Sequence, residues 1–151
     1  MTDRKEKFNV SKAVDAVLDW LPEYKVLKDA QSELKEKNLV KGDNYYHRLG
    51  MCKAAQLKNE FWPSDKIAMT LGVLKEADDL RKKLHWSSLK SVKGYTHDFL
   101  PNAINDIRDS IKDIKNNADG IRLGLQNPDI DCRILLKDFD YRSNQWKKPE
   151  E

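Results

Sequence analysis

A chain of 151 residues holds one domain with a real core, and its net charge of +3 comes from 28 Lys plus Arg against 25 Asp plus Glu scattered along its whole length. Charged residues at 35% exceed the roughly 25% of an average globular protein, yet 39% hydrophobic residues leave enough side chains to bury, which excludes global disorder. Six Gly and five Pro are too few for a turn-rich sandwich or barrel, and interspersed charges of both signs exclude a nucleic-acid partner.

Residues 1–9 read as a flexible N-terminus, 10–141 as a single helical-bundle domain and 142–151 as a flexible C-terminal tail. Val10, Val14, Val17, Leu18 and Leu21 share one side of a first amphipathic helix with Ser11 as its cap, and Pro22 ends it. A second helix from about 23 to 37 turns Tyr24, Leu27, Ala30 or Gln31, and Leu34 inward, with Asn38 and Gly42 as stop signals. The third starts on Asp43 as N-cap, and its inward face reads Tyr46, His47, Gly50, Met51, Ala54, Leu57 or Lys58, and Phe61; Gly50 and Ala54 invite a close neighbour.

After Pro63, Ser64 caps a fourth helix whose apolar arc comprises Ile67, Leu71, Leu74, Ala77, Leu80 and Leu84, with Glu76 at its edge. From Trp86 to Leu100 the pattern breaks into Ser, Lys, Gly and aromatics, which predicts a long loop. A fifth helix follows from the unbroken three-four spacing of Ile104, Ile107, Ile111, Ile114, Ala118, Ile121 and Leu125, a stripe expected to face a continuous core. At about 100° per residue, Asp113, Asn117, Gly120 and Gly124 form a second stripe beside it, whose glycines imply a closely packed neighbour. Pro128 stops this helix, and the alternation of Ile130, Cys132, Ile134 and Leu136 predicts an extended strap, with a loose tail beyond Tyr141.

Polar residues carry the functional question. His47 sits on an apolar, small-residue face and demands a hydrogen-bond partner there, for which Asp113 and Asn117 are the natural candidates. Glu76 and Asp79 on the fourth helix, and Asp109 and Ser110 on the fifth, complete the set. A satisfied buried network is the favoured reading. Against it stands an acid–base or metal-assisted site built on His47, Glu76, Asp109 and Asp113, although neither H-E-x-x-H nor E-x-x-H spacing is present. No metal and no cofactor is expected. No P-loop, G-x-S-x-G or G-x-G-x-x-G occurs, and Cys52 and Cys132 lack any zinc or redox spacing, leaving a bridge between them open. Asp15 and Asp19 on the polar face of the first helix disfavour peripheral membrane contact. Trp20, Trp62, Trp86 and Trp146 fall near helix ends or loops, where rings pack under connections. The start of the chain shows no signal-peptide pattern and no stretch approaches the roughly 18 apolar residues of a transmembrane segment, so a cytoplasmic protein is expected.

Two blocks of the chain resemble the serum amyloid A family. Gly42-Asp43-Asn44-Tyr45-Tyr46-His47-Arg48-Leu49-Gly50 followed by Ala54-Ala55 is similar to the family's D-x-Y-F-H-x-x-G-x-x-x-A-A run, with Asn38 fitting upstream. Asp109-Ser110, Asp113, Asn117, Gly120, Gly124 and then Pro128 look like its D-S-x-x-D-x-x-x-N-x-x-G-x-x-x-G run, and Glu76-Ala77 with Asp79 resembles its acidic step. The resemblance covers about 23–136 and implies a four-helix bundle with a C-terminal tail wrapped around it, together with binding of lipid or small hydrophobic ligands. The chain lacks the family's Gly-Pro-Gly-Gly loop, inserts 86–100 and has a less apolar start, departures that point to an intracellular bacterial or phage relative rather than a lipid carrier.

The expectation is therefore all-α: an antiparallel four-helix bundle with an additional N-terminal helix and an extended C-terminal tail packed on it. Its expected function is that of a non-enzymatic interaction module for a protein partner or a hydrophobic small molecule, its oligomeric state left open. A small hydrolase or toxin-like effector domain centred on His47 is the alternative.

Overall fold

Small and polar residues, rather than the branched aliphatic ones, decide which helix faces turn inward. The computed structural model describes residues 18–39, 41–58, 63–91 and 99–147, with 85–91 and 99–102 described by backbone alone. The described chain is helical apart from one two-stranded hairpin. None of its helices is long and apolar enough to cross a membrane. Most of the N-terminal helix expected over 10–21, with its Ser11 cap, lies outside the described residues, as do Phe61 and Trp62.

Helix α1 spans Pro22–Lys37, with proline pre-set for its first turn and Lys35 and Lys37 complementing the dipole at its end. Asn38 stops it in a left-handed conformation, φ 45°, its N–H bonding to the carbonyl of Leu34. Helix α2, Asp43–Ala55, begins on Gly42; Asp43 is its first helical residue and not its cap. It buries residues all round, from Asn44 and Tyr46 through Leu49, Gly50, Met51 and Cys52 to Ala54 and Ala55, because α1 and α4 both pack on it.

Helix α3 runs over Ser64–Ser91 and α4 over Phe99–Gln126. The long loop expected from Trp86 to Leu100 is corrected: no Pro or Gly breaks the chain between Gly72 and Gly94, and α3 continues to Ser91. Ser64, Ala68, Gly72 and Glu76 face inward at four-residue intervals, whereas Leu74 and Ala77 of the expected apolar arc are exposed. Ser64 starts the helix, but its buried hydroxyl makes no hydrogen bond, so it is not the expected side-chain cap.

A larger correction concerns α4. The isoleucine stripe does not face a continuous core: Ile104, Ile107, Ile111 and Leu125 are 55%, 42%, 50% and 52% exposed. The neighbouring stripe of Ala103, Ser110, Asn117, Gly120 and Gly124 is buried instead. Close approach explains the inversion. A Cβ on Gly120 would stand 2.4 Å from the Arg48 carbonyl oxygen, and one on Gly124 2.4 Å from that of Cys52, so α4 meets the α2 backbone at a distance only glycine allows. Gly72 opens α3 in the same way, with Met51 Cε 2.5 Å and Asn117 Nδ2 2.7 Å from its would-be Cβ.

The expected extended strap is a short helix, α5, Cys132–Leu135. Asp131 caps it by accepting the Arg133 N–H at 2.7 Å, and the turn aligns Cys132 with Leu136 against the core while Ile130 and Ile134 stay exposed. A disulfide joins Cys132 to Cys52 on α2, 80 residues apart. Part of the segment expected as a loose tail forms a hairpin, β1 Phe139–Asp140 with β2 Gln145–Trp146, which pairs Phe139 with Trp146. Their rings stand 5.4 Å apart, so Trp146 does pack on a connection; Trp20, by contrast, is bare to solvent.

Candidate functional site

Three helices each deliver one ionisable side chain to the same point. His47 stands on α2 between the buried Tyr46 and Arg48, Glu76 ends the small-residue stripe of α3, and Asp113 lies one turn before Asn117 on the inward face of α4. One ring nitrogen of His47 and one carboxylate oxygen each of Glu76 and Asp113 all lie within 4.8 Å of one another. The side chains of His47 and Glu76 are only 18% and 6% exposed.

Asn117 fixes the imidazole. Its Oδ1 is 2.8 Å from His47 Nδ1, and an amide oxygen only accepts, so Nδ1 donates to it and, in the neutral ring, Nε2 presents a lone pair. That lone pair faces Glu76 Oε1 at 3.9 Å. Glu76 Oε1 and Asp113 Oδ1 are both buried without a hydrogen-bond partner. Burial pushes both carboxyls above their ordinary range, opposed at Glu76 by the charges of Lys75 and His47 and at Asp113 by that of His47. Lys75 Nζ is 3.7 Å from Glu76 Oε1 but donates its short hydrogen bond, 2.8 Å, to Asp79 on the solvent side.

Of the expected network, the structure thus brings His47, Glu76, Asp113 and Asn117 together. Asp109 and Asp79 are corrected out of it: Asp109 is exposed, because its position on α4 turns away from α2, and Asp79 pairs with Lys75 at the surface. Ser110 is buried one turn before Asp113. A Cβ on Gly50 would stand 3.1 and 3.2 Å from the Leu27 and Ala30 side chains of α1, and Ala54 is fully buried.

Two polar assemblies were invisible in the sequence. Arg48, buried on α2, donates to the Asn44 carbonyl at 3.2 Å, to Asn144 Oδ1 at 2.9 Å and to Asp119 Oδ2 at 3.1 Å, with its guanidinium 4.1 Å from the Phe139 ring centre. Asn116 Nδ2 donates to Asn44 Oδ1 at 3.0 Å beside it. The second joins Arg133 to Glu33 by two hydrogen bonds, 3.1 and 2.6 Å, with the Tyr46 hydroxyl donating to the same carboxylate at 3.1 Å. These contacts hold the Glu33 carboxyl down at about 2. Both assemblies tie the C-terminal segment to α1 and α2 across about a hundred residues, and no local spacing announces them.

Two grooves stand out among the described residues. An open, largely apolar trough of about 520 Å³ lies between α3 and α4, with Met69, Ala118, Ile121 and Leu125 among its walls and Lys66 and Arg122 beside them. A smaller one of about 390 Å³ follows Arg48, Arg108, Lys112 and Lys115. Neither is lined by His47, Glu76 or Asp113. Comparison with protein-family models, with curated proteins and with solved structures found no match to this chain.

Proposed function

We propose that the chain is a non-enzymatic helical interaction module whose α3–α4 face receives an amphipathic helix from a partner protein. The carrying observation is the set of exposed aliphatic side chains on α4, Ile104, Ile107 and Ile111 over two turns and Leu125 further along, where it lines the trough with Met69. Single exposed aliphatics are ordinary, but several on one helix face beside an apolar trough are the kind of surface that a partner covers. An open trough leaves a small hydrophobic molecule half wet, whereas a helix laid along it buries its apolar face over the whole length. This favours a protein partner over the small-ligand alternative.

The four-helix arrangement resembling serum amyloid A is part of the same proposal, supported by the tight α2–α4 contact that the two resembling blocks make through Gly120 and Gly124. A hydrolase needs a substrate cleft at its acid and base, and the two grooves lie elsewhere. The Cys52–Cys132 bridge supports an oxidising compartment over the cytoplasmic expectation, since cytosolic thiols are kept reduced.

The test replaces Ile107 and Ile111 together by Asp. Both side chains are about half exposed, so the double variant should stay folded, which its melting checks, and the proteins captured by the parent from its native host should be lost from the variant. An identical captured set for parent and folded variant overturns the reading. Increased binding of an apolar dye on deletion of residues 1–17 would show instead that the chain's own amphipathic start occupies the face.

A further inference from the structure

The point shared by His47, Glu76 and Asp113 is chemically incomplete. Three groups able to ligate converge there: Nε2, whose lone pair is open in the neutral ring because Nδ1 donates to Asn117, and two buried carboxylate oxygens that make no hydrogen bond among the described residues. Acceptors facing one another repel, and burial amplifies the repulsion. Glu76 makes the case independent of mere proximity, because its side chain is 94% buried, aimed into the cluster, and Oε1 has no hydrogen-bond partner. Lys75 reaches the site only at its rim: its side chain is 44% exposed, its ammonium pairs with Glu76 Oε1 at 3.7 Å, beyond hydrogen-bond distance, and its short hydrogen bond goes to Asp79.

We propose that His47, Glu76 and Asp113 bind a divalent transition-metal cation of the Zn2+ class, which clamps α2, α3 and α4 together. One imidazole nitrogen with two carboxylate oxygens is a donor set that such cations accept, while Mg2+ and Ca2+ prefer oxygen alone. Ligand atoms about 2.0–2.2 Å from a cation stand roughly 3–4 Å apart, so donors already within 4.8 Å of one another close on it by side-chain rotation. Asn117 is the positioning residue: a ligating histidine commonly donates its other N–H to an oxygen, which fixes the ring and leaves the coordinating nitrogen aimed. Because the cluster lies off both grooves, the ion acts as a structural cross-link.

The experiment uses the untagged, disulfide-bonded chain stripped of metal by a chelator, titrated with Zn2+ and, separately, Mn2+, Co2+ and Mg2+ by calorimetry and thermal melting. Zn2+ should bind one per chain and, at a free concentration about 100 times its dissociation constant, raise the melting temperature by roughly 5–10 °C. E76Q and D113N each replace a buried carboxyl, one oxygen of which makes no hydrogen bond, by a neutral amide of the same shape, so they should melt close to the metal-free parent and lose the Zn2+ shift, which separates failed binding from failed folding. Asn117→Ala should weaken Zn2+ about 10–100-fold. A His85→Gln/His97→Gln double variant, altering the two histidines outside the cluster, should keep the full shift. No shift with Zn2+, Mn2+ or Co2+ in the parent, or a shift that E76Q and D113N retain, overturns the proposal.

Discussion

Gly120 of α4 stands so close to Arg48 of α2 that a methyl group on it would lie 2.4 Å from the Arg48 carbonyl oxygen and 2.9 Å from its Cα. Both obstacles are backbone, which cannot swing aside as a side chain can. In an exposed helix interior, Gly→Ala gains about 1 kcal/mol of helix propensity. Gly120→Ala is expected to reverse that sign and cost about 1–3 kcal/mol, because the helix pair must separate. Gly50→Ala, whose new methyl would meet side chains at 3.1–3.2 Å, should cost less. Thermal melts of the two variants decide it; Gly120→Ala melting at or above the parent would refute the close contact.

Acid should attack this protein partly through Glu33. Arg133, Lys37 and Tyr46 hold its carboxyl at about 2 in place of the ordinary 4.5. A depressed folded-state value means that the ionised form stabilises the fold, so the contribution is complete above about 4.5 and fades as pH falls towards about 2. Glu33→Gln should be less stable than the parent at neutral pH and converge with it at low pH. Chemical denaturation of both proteins at a series of pH values measures this, and a constant gap between them down to the acid limb would contradict it.

The bridge between Cys52 and Cys132 closes a loop spanning 80 positions and fastens α5 to the central helix. Loops of that length restrict the unfolded chain strongly, and removal of a native disulfide costs about 2–5 kcal/mol. Cys52→Ser with Cys132→Ser should lower the melting temperature accordingly, and reductant should lower that of the parent while leaving the double variant unchanged. Equal melting of parent and double variant under oxidising conditions would show that the bridge carries no stability.

The four long described helices were legible in the sequence, but the short α5, the far end of α3 and the orientation of α4 were not. Pro22, Asn38 and Pro128 mark real boundaries because their effects are local: a fixed φ, a left-handed cap, a missing N–H. Periodicity found the apolar stripe of α4 and could not say that it faces outward, since that depends on where α2 approaches. The decisive residues were the glycines, read as a secondary stripe although they set the contact. The His47 cluster was legible in part for a related reason. Asn117 and Asp113 lie on the glycine stripe that packs against α2 and so reach His47, whereas Asp109 turns away to solvent. Arg48 and Arg133 find partners about 70–100 residues away, and only the folded chain shows them.

The inverted α4 carries its own test. If the isoleucine stripe faced a core, Ile111→Ala would open a cavity and cost about 2–5 kcal/mol. With Ile111 half exposed, the methyl groups are already partly in water, and the loss should stay below about 0.5 kcal/mol. Leu49, fully buried on α2 among Tyr46, Cys52 and Leu136, is the matched control: Leu49→Ala removes a similar volume where nothing can relax into it and should cost about 2–5 kcal/mol. Urea denaturation of both variants separates the cases, because only the midpoint moves when packing is lost and the slope is kept. A loss at Ile111 as large as that at Leu49 would mean that another surface covers the stripe in solution.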